Sequence, residues 1–220
     1  GRYAVTYVAY GRGGPGVSLA LTADFHDFER IGMVLPPEDK DAALFPRRFG
    51  DRWALIHRPV PCHGSADMWI SYSPDLVHWG DHRVLIQARR GGWWDARKIG
   101  LSPQPIETED GWLLLYHGVR DTASGAIYRL GLALLDRESP ERVLLRSDEW
   151  VFGPQAEYER VGDVADVVFP CGATVAPDGD TLFLYYGGAD TVMCLATASL
   201  RELLGWLKDH GRPGGTARDE

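Results

Sequence analysis

Apolar residues in this chain fall in short runs, many of them alternating with polar ones, and Gly or Pro interrupts them every few residues. Such spacing, rich in Val, Ile, Leu, Tyr and Trp, predicts many short strands. The pattern places them at 2–10, 16–23, 29–35, 42–46, 52–58, 67–73, 82–87, 112–118, 127–135, 142–146, 166–175, 181–187 and 192–198. Only "SLRELLGWLKDHG" has helical periodicity, with Leu200, Leu203, Leu204 and Leu207 on one stripe. Ser199 and Glu202 have the spacing of a capping box, and Gly211 can end the helix, so the spacing predicts a helix over 199–209. The tail from 211 to 220 reads as flexible.

An imperfect repeat runs through the strands. "GRYAVTYVAYG", "GDRWALIHRP", "GWLLLYHGV" and "GDTLFLYYGG" each join a Gly turn to an apolar run with a polar or aromatic exit. A second strand follows each, and "ADFHDFERIG" and "PDLVHWGDHRVL" lead into third strands. Repeated antiparallel units of this kind predict an all-β propeller occupying residues 1–210, and a flat sandwich would show fewer strands and no repeat. Four repeats make a small propeller. The expectation is therefore an incomplete one, with at least one further blade before Gly1.

Composition narrows the function. The 220 residues are 45% hydrophobic, enough for a core, and carry a net charge of −8. That balance excludes a broad basic face for nucleic acid. No apolar run reaches membrane-spanning length. Cys62, Cys171 and Cys194 have no metal-ligand spacing. They read as reduced thiols in a cytoplasmic protein, with Cys171 and Cys194 in the core. No metal site and no cofactor are expected, and homo-oligomerisation is left open.

In a propeller, equivalent strand ends of different repeats converge. Arg58 ends "LIHRP", His117 ends "LYHG", Asp190 follows "YYGG", and Lys40 and Lys98 lie in the linkers before the second and third repeats. Cations gathered in an acidic protein suit a small anion such as phosphate: Arg offers a planar fork, Lys a point charge and His a hydrogen bond. Each alone is as readily a structural ion pair. Trp93 and Trp94 have the flat faces that stack on sugar rings, although one of them is expected to pack between blades. Trp53, Trp79, Trp112 and Trp150 read as blade packing. Asp75, Asp110 and Asp178 lie in turn sequences.

Six segments in order, "DAALFPRRFGDRWALIHRP", "MWISYSPDLVHWG", "WWDARKIGLSPQPIETEDGWLLLYHGV", "YRLGLALLD", "YERVGDVADVVFPCG" and "LYYGGADTVMCLATASL", resemble glycoside hydrolase family 130, the β-mannoside phosphorylases and related β-mannosidases. The resemblance runs from residue 1 to about 208. It implies a five-bladed β-propeller that cleaves β-linked mannosides with inversion. Inorganic phosphate is the co-substrate in the phosphorylases, and mannose 1-phosphate the product. Arg58, Lys98 and His117 match the family's phosphate ligands, with Lys40 added by its charge. Asp190 matches a mannose contact, and Trp94 and Asp95 are expected beside the sugar.

Two departures bear on the chemistry. Where the family's phosphorylases carry an Arg-Asn pair before "LFP", this chain has Lys40-Asp41, and the aspartate adds repulsion. The family's general acid, an Asp in a Glu-Asp-Pro-Arg-like turn, would fall before Gly1, so the 220 residues by themselves would lack it. A β-mannosidase using water needs a carboxylate base as well, for which Glu107, Glu157 and Glu159 are candidates. A propeller that binds sugar without turnover is the third reading.

Overall fold

The computed structural model describes residues 1–123 and 125–214. The strands form four antiparallel sheets in chain order. Sheet I holds β1 (Tyr3–Gly11), β2 (Gly14–Thr22) and β3 (Phe28–Leu35). Sheet II holds β4 (Asp39–Leu44), β5 (Trp53–Pro59), β6 (Met68–Ser73) and β7 (Gly80–Ile86). Sheet III is built on the long hairpin of β10 (Gly111–Thr122) and β11 (Gly125–Leu135), flanked by β8 (Lys98–Gly100), β9 (Ile106–Thr108) and β12 (Val143–Ser147). A single helical turn, α1 (Glu157–Arg160), precedes sheet IV, which is β13 (Val168–Val175), β14 (Thr181–Gly188) and β15 (Val192–Ser199). Helix α2 (Leu200–His210) follows, and β16 (Gly211–Pro213) returns to pair with β12. No helix among the described residues is long and apolar enough to cross a membrane.

The sheets pack face to face, as the alternation along β10 shows. Trp112, Leu114 and Tyr116 enter a core shared with Ile56, Met68 and Ile70 of sheet II. Leu113 and Leu115 enter another, shared with Leu182, Leu184 and Tyr186 of sheet IV. Sheet III is thus buried on both faces, which is why β10 reads as a continuous apolar run. A smaller core of Val17, Leu35 and Leu55 joins sheets I and II. This stacking is that of a propeller-like fold, and the predicted repeat has a structural counterpart. Thr22 Oγ1 accepts the Phe25 N–H (2.9 Å) and Asp24 Oδ1 the His26 N–H (2.9 Å). Ser73 and Asp75 do the same for Leu76 and Val77, both at 2.9 Å. The short side-chain oxygens stand in for backbone acceptors and let Phe25 and Leu76 take left-handed conformations.

Ser199 accepts the Glu202 N–H (3.2 Å) and starts α2, whose Leu200 and Leu207 are buried against sheet IV's core. The expected flexible tail differs at its start, since Gly211–Pro213 is a strand. A three-residue strand has no periodicity of its own, and its existence depends on β12; β8 and β9 escaped the pattern for the same reason. Residues 215–220 lie outside the described set. Two expectations about packing are corrected. Cys171 is exposed rather than in the core, while Cys194 is half-buried; all three cysteines are free thiols. Trp112 is fully buried, but Trp150 is 41% exposed.

Candidate active site

Arg58 is the penultimate residue of β5, and Lys40 lies directly opposite it on β4. The β4–β5 register then shifts between Lys40 and Ala43, which leaves Asp41 in a bulge with a left-handed backbone (φ 54°). The bulge turns the Asp41 side chain onto Arg58. Arg58 Nε donates to Asp41 Oδ2 at 2.7 Å, and Arg58 Nη2 lies 2.6 Å from the same oxygen. His117 Nε2, from β10, lies 3.3 Å from the same oxygen. Arg58 and His117 are 3% and 1% exposed. Three nitrogens from two sheets therefore converge on one carboxylate oxygen in a dry setting, where such contacts are strong. Burial alone would raise the Asp41 pKa. The hydrogen bond and charge of His117, with the charge of Arg58, outweigh it and hold the carboxyl well below its usual range.

Sheet III completes the group. His117 pairs with Gly100, and Val119 with Lys98, so Lys98 and His117 share one face. A Cβ on Gly100 would come within 2.4 Å of Asp41 Oδ2 and 2.7 Å of His117 Cε1; glycine is what leaves room for them. The Lys98 ammonium lies 5.3 Å from the centre of the Tyr128 ring. Phe169 of sheet IV packs on the His117 ring at 4.6 Å between centres. Asp190 is exposed, in the left-handed turn after β14, at the same end of sheet IV as Phe169. Among the described residues, no side-chain hydrogen bond or ion pair joins Lys40, Lys98 or Asp190 to the Asp41–Arg58–His117 group.

Asp95 does not stand where a sugar contact was expected. Asp95 is 0% exposed. Its Oδ2 accepts from Arg146 Nη2 (2.6 Å), Tyr116 Oη (3.0 Å) and Arg89 Nη1 (3.3 Å). Trp94 stacks on Tyr116 at 5.5 Å, donates its Nε1–H to the Asp148 carbonyl (2.8 Å), and fills a slot over Gly118 and Gly131. A Cβ at Gly118 would lie 2.4 Å from both Trp94 and Asp95, so a glycine among the buried residues of β10 is required by this close approach. Both residues brace the outer part of sheet III instead of facing the group around Asp41. Trp93, 37% exposed, has Arg89 over its ring and shares a shallow cleft of about 330 Å³ with Trp94, Arg120 and Trp150.

The carboxylates considered as bases are otherwise engaged or exposed. Glu107 pairs with Arg47 and Arg137. Glu159 accepts the Gln155 and Ala156 N–H groups and the Tyr186 hydroxyl. Glu157 is exposed on α1. Asp75 and Asp178 cap turns as their sequences predict, and Asp110 pairs with Lys208.

Two features were not visible in the sequence. One is the role of Asp41, which depends on a bulge that no local pattern announces. The other is a polar chain through sheet II: Asp39 Oδ2 to His57 Nδ1 (2.6 Å), His57 Nε2 to Ser71 Oγ (2.7 Å), and Ser71 Oγ to His82 Nδ1 (2.6 Å). Its order is that of a nucleophilic triad, but Ser71 is 0% exposed and no substrate reaches it. It ties β4, β5, β6 and β7 together.

Stacked antiparallel sheets, with a buried group of Asp41, Arg58 and His117 where sheets II and III meet, describe a propeller-like protein. The family model described as beta-1,4-mannooligosaccharide phosphorylase matches residues 1–209, and the chain belongs to that family, glycoside hydrolase family 130. It is 37% identical to the β-1,4-mannooligosaccharide phosphorylase of Ruminococcus albus, over 89% of this chain and 58% of that protein. It is 40% identical to the β-1,2-mannobiose phosphorylase of Listeria innocua, over 94% of this chain and 57% of that one. The solved complex of the Listeria enzyme with β-1,2-mannobiose superposes with a TM-score of 0.88, covering 95% of this chain and 58% of the other. A further structure, 25% identical with a TM-score of 0.78 over 91% of this chain and 62% of that one, is described as showing that this family of mannoside phosphorylases contains glycoside hydrolases that target β-1,2 mannosidic linkages in Candida mannan. The chain spans about three fifths of the length of the curated relatives it matches.

Proposed function

We propose that the protein is an inverting β-mannoside phosphorylase on a five-bladed propeller, transferring a mannosyl group from a β-linked oligosaccharide to inorganic phosphate. The observation that carries this reading is the convergence of Arg58 Nε, Arg58 Nη2 and His117 Nε2 on a single oxygen. N–H donors fixed in advance around one oxygen are what a phosphate oxygen needs as its charge shifts toward the sugar. Lys40 stands opposite Arg58 on β4 and Lys98 shares a sheet face with His117, and this reading gives them the remaining phosphate oxygens. Relatives named as phosphorylases of β-1,2- and β-1,4-linked mannosides support the substrate class.

In the reaction, a phosphate oxygen attacks the anomeric carbon and the bond from that carbon to the bridging oxygen breaks. The bridging oxygen takes a proton from a general acid and leaves as the hydroxyl of the shortened acceptor. Inversion of a β-linkage yields α-mannose 1-phosphate. Phosphate arrives already anionic, so no base is needed; the cations offset its repulsion from the site and hold it in line. Asp190 serves the mannosyl group from its exposed turn.

A β-mannosidase is the second reading, favoured by one observation: the oxyanion position holds the carboxylate of Asp41. The test is to incubate the full-length protein with β-1,2- and β-1,4-mannobiose, with and without phosphate. Phosphate-dependent mannose 1-phosphate is the expected product. Free mannose at equal rates with and without phosphate selects the hydrolase, and binding of the sugar without turnover selects a lectin-like propeller.

A further inference from the structure

We propose that Asp41 is an internal occupant of the oxyanion position, which inorganic phosphate must displace, so that residue 41 sets phosphate affinity and the division of the mannosyl group between phosphate and water. The inference rests on the reading of Arg58 and His117 as the anion site. Its starting point is that three nitrogens meet at one atom, Asp41 Oδ2, at 2.6, 2.7 and 3.3 Å. An ordinary Arg–Asp pair spreads its two hydrogen bonds over both carboxylate oxygens. Here the donors are arranged around a single point, as they would be around one oxygen of a tetrahedral anion.

The surroundings fit a displaceable group. Asp41 and Ala42 lie out of register between the Lys40–Arg58 and Ala43–Ile56 pairs, so Asp41 can move without unzipping β4 from β5. Gly100 leaves a space beside Oδ2 that any side chain would fill. Lys40 and Lys98 are half-buried and take part in no ion pair among the described residues. They supply the charge that a second anion would need once Asp41 turns away. While Asp41 stays in place it pairs with the buried Arg58 guanidinium and occupies the donors. Its carboxyl is held well below the usual range, so the blockade persists across neutral and mildly acidic pH.

The test is a calorimetric titration of the protein with inorganic phosphate, using the native sequence, Asp41→Asn and Asp41→Ser. Both variants are expected to bind phosphate at least tenfold more tightly, and in full-length protein to raise the ratio of mannose 1-phosphate to free mannose. Binding should disappear again in Asp41→Asn/Arg58→Gln. Equal or weaker phosphate binding in both single variants overturns the proposal and makes Asp41 a structural partner of Arg58. Tight binding that survives Arg58→Gln places the phosphate elsewhere and overturns it too. Should no variant bind phosphate while sugar binding persists, the anion-site reading itself fails, and this inference with it. A crystal structure of the native protein with phosphate gives an answer independent of variant folding. The proposal requires a phosphate oxygen in place of Oδ2; phosphate bound with Asp41 still on Arg58 refutes it.

Discussion

Replacing Asp95 by asparagine separates a structural role from a sugar-binding one. The substitution keeps the shape of the side chain and removes its charge. In the native protein one fully buried oxygen accepts from Arg146, Arg89 and the Tyr116 hydroxyl. The two guanidinium groups are themselves only 13% and 15% exposed. Removing one partner from a buried ion pair costs about 3–5 kcal/mol, because the other charge is left in a poorly solvated place. Arg146 also donates to the Gln87 carbonyl, and Arg89 to the Ser147 and Asp148 carbonyls, so neither is stranded completely. The lower end, about 3 kcal/mol, is therefore expected. For a domain of this size that lowers Tm by about 6–12 °C. Urea denaturation and thermal melting of Asp95→Asn measure it directly. Asp95→Asn/Arg146→Met should recover part of the loss, since a buried pair exchanged for apolar groups is often tolerated. A stability change under 1 kcal/mol, accompanied by loss of mannoside binding, would show that Asp95 meets the sugar and that this account of sheet III is wrong.

Ser199→Ala removes the cap of α2 and should cost about 1 kcal/mol, near 2–4 °C in Tm; an unchanged melting curve would mean that packing of Leu200 and Leu207 alone fixes the helix start. Ser71→Ala strips His57 of its Nε2 partner inside sheet II and should destabilise by about 1–3 kcal/mol, read by urea denaturation, with a neutral result ruling out the polar chain as a brace. The acid limb of stability tests Asp41. Its pKa in the folded state lies well below that of a free aspartate, so its ionised form stabilises the fold above the ordinary aspartate range and the contribution is lost as pH falls toward the folded pKa. The stability difference between the native protein and Asp41→Asn should thus be flat from about pH 5 to 8 and shrink below about pH 4; shrinkage between pH 5 and 7 would contradict the assigned contacts.

The repeated alternation of apolar and polar residues determined the secondary structure, because each strand of a stacked sheet must bury one or both faces and so writes its period into the chain. The same is true of α2, whose cap and leucine stripe are local. The turns at Asp75 and Asp178 were legible for a similar reason: a side chain two or three residues from the amide it accepts needs no tertiary partner. The site was legible only as a set of residue types. Arg58 and His117 stand out as charged or polar ends of apolar strands, and the fold brings them together. What joins them is Asp41, and its position depends on a bulge whose register is fixed by pairing with β5 and by the space over Gly100. Asp95 reverses the lesson. Its place beside two tryptophans suggested a sugar, but the slot formed by Gly118 and Gly131 across β10 and β11 takes Trp94 inward and carries Asp95 to two arginines. Burial and pairing of Asp95 with Tyr116 and Arg146, 21 and 51 positions away, decided that, and no short window of sequence contains those partners.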